Sequence, residues 1–530
     1  MLEKNKALEK RRSHLLQGGG AKEVDRQHQQ GKLTARERLA RLFDEGSFQE
    51  IDLWIRPIKT GFDIDQRDLP GDAVITGFGK IHGRTVHAYI HDFTVVGGTM
   101  SSGQDHKVTR LMEMAVEARA PYVGIVDSGG VRIHDLFGRP AFRPIQAGRL
   151  CIGGTTGIFA APSIASGVIP QITVMLGPCY AGAAYSPTLA DFLIMRKETS
   201  FMSVASPQLL KTVTYKDVTQ DEIGSAELHA TVTGTADYLA QTDEEAIDFC
   251  RDLVTYLPLN NRETPPVIDT GDAPNRKENG LLNIVPDDLS QAYDMHKIID
   301  HIVDNGQFLE LQRLFAKSII IGFARLNEQT VGIVANNPSE DNGVLNINTC
   351  DKEARFIRFC DCFNIPLIFL IDTPGFLSSM EEERSRDGLI RTAARPVFAI
   401  CEATVPMIGV YIGKCFGPAR LIMGTSRMGV DVIYSWPSAQ VARMNPEEVV
   451  NIIYKEEIAS SKDPDGVRRE KLDELLRNYI HYPYHAAEQL MVNEIIDPRD
   501  TRPILISTLK TLTHKEPIPR AWKKHSLIPK

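Results

Sequence analysis

Short apolar runs of the kind that fill buried strands alternate along the chain with stretches whose apolar positions recur every three or four residues, as in helices laid on a sheet. Val86 to Ile90 reads as a strand and Lys107 to Ala118 as a helix, which together predict an α/β fold. Met1 to Leu16 mixes Glu, Lys and Arg with scattered Leu, a helical pattern and not that of a secretory signal. Thr34-Ala35-Arg36-Glu37 has the form of a capping box and opens a short amphipathic helix ending near Phe43. From 258 to 290 the chain gathers Pro258, Asn260, Asn261, Pro265, Pro266, Gly271, Pro274 and Gly280 among many charges, the composition of a linker. The expected organisation is a helical segment over 1–50, a domain over 51–260, a linker over 261–290 and a second domain over 291–530.

The two domains repeat one another. Gly77-Phe78 recurs as Gly322-Phe323, Thr85-Val86 as Thr330-Val331, Lys107 as Lys352, Arg110 as Arg355, Pro121 as Pro366, Asp127 as Asp372 and Gly130 as Gly375, every pair 245 positions apart. Further on, Val168-Ile169-Pro170 matches Thr404-Val405-Pro406, and Gly177, Cys179, Tyr180 and Ala183 match Gly413, Cys415, Phe416 and Ala419, now at an offset of 236. Two long blocks in the same order at fixed offsets indicate an internal duplication.

Each copy twice carries a buried apolar run ending in a Gly-rich turn. In the first, Tyr122 to Asp127 runs into Ser128-Gly129-Gly130, and Ile172 to Leu176 into Gly177-Pro178-Cys179-Tyr180-Ala181-Gly182. In the second, Leu367 to Ile371 runs into Asp372-Thr373-Pro374-Gly375, and Met407 to Ile412 into Gly413-Lys414-Cys415-Phe416-Gly417. Glycine lets another group approach the backbone, and a helix start leaves N–H groups unpaired. Two such turns side by side can hold one oxygen between two donors, which suits chemistry that turns a thioester or amide oxygen into an enolate oxygen. Each copy would then hold one oxyanion hole.

Composition narrows the alternatives. With Lys+Arg 60 against Asp+Glu 68 the net charge is −8, and no basic block offers a footprint for nucleic acid. The charge-free stretch Leu150 to Ala190 is broken by Gly and Pro too often to span a membrane, and predicts buried strands and tight turns. Eight cysteines form no CxxC pair, so neither a disulfide scaffold nor a metal site is expected, and a reducing, cytoplasmic setting follows. Cys360 and Cys362 read as core and surface thiols, His91 and His134 as structural histidines. No phosphate-binding GxxxxGK[ST], dinucleotide-binding GxGxxG or GxSxG elbow occurs.

The runs Gly71-Asp72-Ala73-Val74-Ile75-Thr76-Gly77-Phe78-Gly79, Asp127-Ser128-Gly129-Gly130-Val131-Arg132-Ile133 and Ser166-Gly167-Val168-Ile169-Pro170-Gln171-Ile172 resemble the carboxyltransferase (β) subunit of biotin-dependent acyl-CoA carboxylases, most closely the propionyl-CoA type. Asp372-Thr373-Pro374-Gly375-Phe376, Ser435-Trp436-Pro437-Ser438-Ala439 and Met444-Asn445-Pro446-Glu447 continue the resemblance, which spans nearly the whole chain. It implies two tandem crotonase-like (ββα-spiral) domains, the N-half holding acyl-CoA and the C-half receiving carboxybiotin from a biotin carrier subunit, in a homo-oligomer, a hexamer, working with a biotin carboxylase chain. It also implies a carboxyl transfer through a thioester enolate without a side-chain base. By position, the N-half hole would use Gly129 or Gly130 with Gly182 or Ala183, and the C-half hole Gly375 or Phe376 with Ala419.

Several residues depart from the family pattern. Tyr180 and Ala181 put a ring and a Cβ into the first turn, where the family reads Cys-Ala-Gly-Gly-Ala. In the second, Cys415-Phe416-Gly417-Pro418-Ala419-Arg420-Leu421 replaces Ala-Phe-Gly-Gly-Ala-Tyr-Asp, so Pro418 removes an N–H, Leu421 an acidic group and Arg420 an aromatic one. Tyr180, Ala181, Gly417, Pro418, Arg420 and Leu421 are accordingly the expected substrate-pocket residues. The carboxyltransferase subunit of an acyl-CoA decarboxylase and a non-catalytic paralogue stay open beside the carboxylase reading.

Overall fold

Gly77 and Gly322 hold corresponding places in two hairpins, and each is glycine for the same reason. A Cβ on Gly77 would lie 2.3 Å from the Gln49 carbonyl and 2.6 Å from the Phe48 ring; on Gly322 it would lie 2.4 Å from the Leu309 carbonyl and 2.7 Å from the Phe308 ring. The duplication is therefore one of packing as well as of letters. The computed structural model describes every residue except 58, 138–156, 479–481, 517–521, 524 and 530. Cys151 and the first part of the charge-free stretch, 150–156, lie outside the described residues.

The chain divides into two units, Met1–Glu263 and Thr264–Lys530. Among the described residues the first unit has strands β1 (Gln49–Ile51), β2 (Val74–Ile81), β3 (Arg84–His91), β4 (Tyr122–Val126), β5 (Gln171–Met175), β6 (Pro178–Tyr180), β7 (Phe192–Arg196), β8 (Phe201–Ser203) and β9 (Tyr238–Ala240). The second has β10 (Phe308–Leu311), β11 (Ile319–Leu326), β12 (Gln329–Asn336), β13 (Leu367–Thr373), β14 (Met407–Phe416), β15 (Val432–Ser435), β16 (Gln440–Ala442) and β17 (Glu494–Ile495). The main sheets run β1-β2-β3-β4-β5-β7-β9 and β10-β11-β12-β13-β14-β15-β17. In both, the first two pairings are antiparallel and the remaining four parallel. Register repeats too: Gly77 faces Ala88 as Gly322 faces Ile333, and Tyr122 faces Gln171 as Leu367 faces Met407.

Two details depart from the sequence reading. The run after Met407 does not turn at Gly413; β14 continues through Lys414 and Cys415 to Phe416 and pairs with β16 as well as β13. The described part of the charge-free stretch contains helices at Gly157–Ala165 and Tyr185–Leu189 besides its strands. No helix among the described residues is long and apolar enough to cross a membrane. The capping box at Thr34 and Glu37 is formed and opens the helix Ala35–Leu42. Residues 264–290 are not bare chain: Arg276 binds Asp272 and donates to the carbonyls of His301 and Val303 at 2.6 and 2.8 Å.

In the first unit the helix Ser102–Ala118 packs Leu111, Met112 and Ala115 into a core with Ala161 and Ala165 of the helix Gly157–Ala165. Its Lys107 turns inward, where the ammonium donates to the Gly71 and Val74 carbonyls at 3.1 and 2.5 Å. Lys352 does the same with the carbonyls of Gln312, Phe315 and Ile319 at 3.0, 2.8 and 2.7 Å, and burial pushes it down to about 7.

At the ends of β4 and β13 sit Asp127 and Asp372, both without solvent exposure. A Cβ on Gly177 would lie 1.8 Å from one Asp127 oxygen, and a Cβ on Gly413 2.0 Å from one Asp372 oxygen, so glycine is what admits each carboxyl. Asp127 takes Lys32 at 2.7 Å, Arg38 at 2.8 Å and Gln27 at 3.1 Å. Arg38 also reaches Asp243 at 2.8 Å, and Arg196 completes the cluster on Asp243 at 2.5 Å. Asp372 instead takes the Tyr293 hydroxyl at 2.7 Å and the Lys414 backbone N–H at 2.9 Å.

Burial raises Asp372 from 3.8 to about 6. The folded chain thus keeps a proton that the unfolded chain releases near its ordinary value. The stabilisation from that proton is present at low pH and is lost as pH rises from about 4 through about 6. At about 1.4 kcal/mol per pH unit, Asp372→Asn should gain up to about 3 kcal/mol on the wild type between pH 4 and 7. Urea denaturation at both pH values measures this, and a stability difference that stays constant with pH would refute the assignment.

Candidate active site

The end of β4 and the end of β6 meet. Ser128 N–H donates to the Pro178 carbonyl at 3.1 Å, and a Cβ on Gly130 would lie 3.6 Å from the Tyr180 carbonyl. Gly130 has φ +93°, a conformation that favours glycine. Its carbonyl accepts from Met100 N–H at 2.8 Å, and its N–H touches the Ser128 hydroxyl at 3.1 Å. Gly129 N–H is already committed to the Gly97 carbonyl at 2.9 Å. Of the two donors expected in this turn, only Gly130 has a partner that can rotate away.

After β6 the chain makes the tight turn Ala181–Ala184 and enters the helix Tyr185–Leu189. In a turn of this i→i+3 kind the leading N–H groups, those of Ala181 and Gly182, have no acceptor within it, whereas the N–H of Ala183, the other donor expected here, returns to the Tyr180 carbonyl; Tyr180 makes no side-chain cap. A Cβ on Gly182 would meet nothing closer than Phe159 at 3.6 Å, and Gly182 lacks a positive φ. Neither backbone nor packing demands glycine there, and the turn is open to close approach by another group. Ala183 is buried behind it. The departure at Ala181 has a cost, because this alanine sits at φ +55°. Tyr180 is half-buried, and its hydroxyl bonds the Gln220 amide.

The charges close to this turn are held neutral. His91 receives the Asp127 N–H on Nδ1 at 3.4 Å, and burial pushes the ring down to about 4, so its proton resides on Nε2. Burial pushes the Cys179 thiol up to about 12. Neither group is placed as a nucleophile. His134 lies edge-on to the Phe62 ring. Cys360 is buried and Cys362 exposed.

In the second unit Gly375 has φ +138°, its carbonyl accepts from Leu345 N–H at 3.0 Å, and Phe376 pairs with Leu345 in a single bridge. Gly417, at φ +60°, spends its N–H on the Ala442 carbonyl at 3.1 Å. Nothing lies within 4 Å of where a Cβ would stand on either glycine, so open space borders both. Pro418 adopts φ −69° and ψ −22°, the geometry its ring favours at the start of a helical turn. The turn Ala419–Ile422 follows with the Ala419 N–H at its head. Leu421 is half-buried. Arg420 does not line an open pocket: it is 7% exposed and lies against Tyr411 and Cys415 inside the unit.

The sequence reading passed over Gln27, Lys32 and Arg38, which hold Asp127 in place behind the first turn. A signal existed in the helix Ala35–Leu42, whose buried positions are Ala35, Arg38 and Leu42. A cation at the middle of a buried helix face requires a buried anion.

The family model for the carboxyl transferase domain matches residues 26–528. The chain is 42% identical over 522 residues to the carboxyltransferase subunit of propionyl-CoA carboxylase from Haloferax mediterranei, covering 98% of both chains. It is 41% identical over 523 residues to the methylmalonyl-CoA decarboxylase subunit alpha of Propionigenium modestum, again covering 98% of both. The solved transcarboxylase 12S hexamer with methylmalonyl-coenzyme A and methylmalonic acid bound superposes with a TM-score of 0.91 at 40% identity, over 100% of this chain and 98% of that one. The fold is thus the crotonase-like carboxyltransferase fold in two copies, and the chain belongs to the carboxyl transferase family as a carboxyltransferase subunit.

Proposed function

We propose that the chain moves a carboxyl group between carboxybiotin on a separate carrier subunit and the α-carbon of an acyl-CoA, with the acyl thioester held in the first unit and biotin in the second. The observation that carries this is Gly182, a glycine that neither its backbone nor its neighbours require, next to N–H groups that lead a turn. Gly182 would donate to the thioester oxygen as it takes up charge, with the Gly130 N–H reinforcing it once the Ser128 hydroxyl rotates away. Such preorganised donors are worth several kcal/mol in a site shielded from water. Ala419, with the Gly375-Phe376 turn, would hold an oxygen in the same way in the second unit. The open space beside Gly375 and Gly417 suits a flat ureido ring. Biotin would supply the activated carboxyl and, once freed of it, accept the α-proton, which accounts for neutral His91 and Cys179 near the acyl turn.

Pro418 leaves this scheme intact, because the N–H it lacks precedes the one at Ala419. We take the assembly to be a homo-hexamer acting with biotin carboxylase and biotin carrier chains in the cytoplasm, a setting suited to the buried thiols Cys179, Cys250, Cys350, Cys360 and Cys415. The same donors serve both directions, since an enolate is common to carboxylation and decarboxylation. The 41% identity to a decarboxylase subunit therefore supports the reverse reaction as a second reading, one decided by the partner chains.

Purification with associated chains, followed by avidin blotting and transfer of labelled carboxyl from carboxybiotin to propionyl-CoA, tests the reading. Transfer should require no ATP, and no transfer to any short or branched acyl-CoA by the assembled complex would overturn it. Gly182→Val should fold, since a Cβ fits there, yet lose on the order of 10²-fold in kcat by crowding the donors. Unaltered turnover would show the donors to lie elsewhere. Ala181→Gly should relieve the positive φ and raise the denaturation midpoint by the equivalent of about 1 kcal/mol; a lowered midpoint would contradict the strained conformation.

A further inference from the structure

Ala183 also borders a small cavity inside the first unit. Its apolar wall is Met100, Val108, Val126 and Ile158, and Gln104 and Asp105 face it from the helix Ser102–Ala118. It has room for about one water molecule or one hydroxymethyl group.

The polar side of this cavity is built and unsatisfied. Gln104 is 1% exposed, its Nε2 reaches the Ala73 and Gly98 carbonyls at 3.4 and 3.5 Å, and its Oε1 has no partner among the described residues. Asp105 is 7% exposed and uses one oxygen to accept the Ile158 N–H at 3.1 Å. Its other oxygen has no partner among the described residues. Gln104 Oε1 is thus a buried acceptor without a donor, and the second Asp105 oxygen accepts nothing beside it, although the Tyr89 and Ser186 hydroxyls line the same cavity. His91, whose proton is on Nε2, lines the same cavity. An acyl chain whose thioester oxygen sits at Gly182 would send its far end toward this space, because Ala183, the next residue of that turn, borders it.

We propose that Gln104 and Asp105 form the end of the acyl site and select an acyl group that carries a hydroxyl there, over a plain alkyl group of the same size. The inference rests on the acyl-CoA reading of the Ala183 turn. The hydroxyl donates to Asp105 or Gln104 and accepts from His91, whereas a methyl leaves both acceptors bare. A site made to hydrogen-bond a hydroxyl discriminates strongly against the analogue lacking it.

A matched pair tests this: 3-hydroxypropionyl-CoA and butyryl-CoA differ by a hydroxyl in place of a methyl. Their binding to the assembled full-length protein is measured by calorimetry without carboxybiotin, so that no enolate forms. The hydroxylated thioester should bind at least about ten-fold more tightly. Asp105→Asn keeps an oxygen for the Ile158 N–H but offers an amide donor in place of the second acceptor, and should bring the ratio close to one. Equal binding of the pair by the wild type, or a preference unchanged in Asp105→Asn, would overturn this selectivity alone. Failure to bind either thioester would overturn the acyl-CoA reading and this inference with it.

Discussion

A carboxyl group buried at the end of a parallel strand organises each half of this protein. Asp127 and Asp372 cannot be taken out of water unless donors meet them and the neighbouring backbone makes room. Gly177 and Gly413 make that room from the adjacent strands. Gly98 and Gly343 make it on the other side, where a Cβ would lie 2.3 and 2.5 Å from the carbonyls of Asp127 and Asp372. The turns that follow, Gly129-Gly130 in one half and Pro374-Gly375 in the other, are those we propose to place beside the reacting oxygens.

The halves satisfy this shared constraint differently. The first surrounds Asp127 with Lys32 and Arg38 and links them to Asp243 and Arg196, an ionic cluster whose two carboxylates and Arg38 are fully buried. The second gives Asp372 a phenol and a backbone amide, and the carboxyl answers by holding its proton at higher pH. Removing one member of the first arrangement strands a buried charge, a loss of about 3–5 kcal/mol. Removing a member of the second leaves a carboxyl that can stay neutral. Duplication preserved the strand order and the glycines and left the counter-groups to diverge.

Much of this was legible in the sequence, for physical reasons. The offsets of 245 and 236 survive as strand registers because a glycine under a carbonyl or an inward lysine tolerates no other residue, and such positions keep their letters. What was not legible depended on where one glycine stood in space. Gly413 reads as a turn because glycine ends strands more often than it continues them; in the structure it is a mid-strand position emptied for Asp372. Gly129 reads as a free donor, and only the fold reveals that Gly97 takes its N–H. Arg420 reads as a pocket wall from its place beside Ala419, whereas its side chain is drawn inward against Tyr411. Gln104 and Asp105 carry no motif, and their unpaired oxygens exist only once the helix Ser102–Ala118 is packed.

The charge cluster around Arg38 also constrains how the chain is made. Its two carboxylates lie 89 and 205 residues further along. At about 5–20 residues per second, the ribosome needs roughly 10–40 s to synthesise the stretch from Arg38 to Asp243. Through that interval the helix that bears Arg38 has no finished unit to join, and its buried face, Ala35 and Leu42 included, stays in water. The first unit can close only when almost all of it has left the ribosome, which makes its nascent form a natural client for chaperones that shield apolar helix faces.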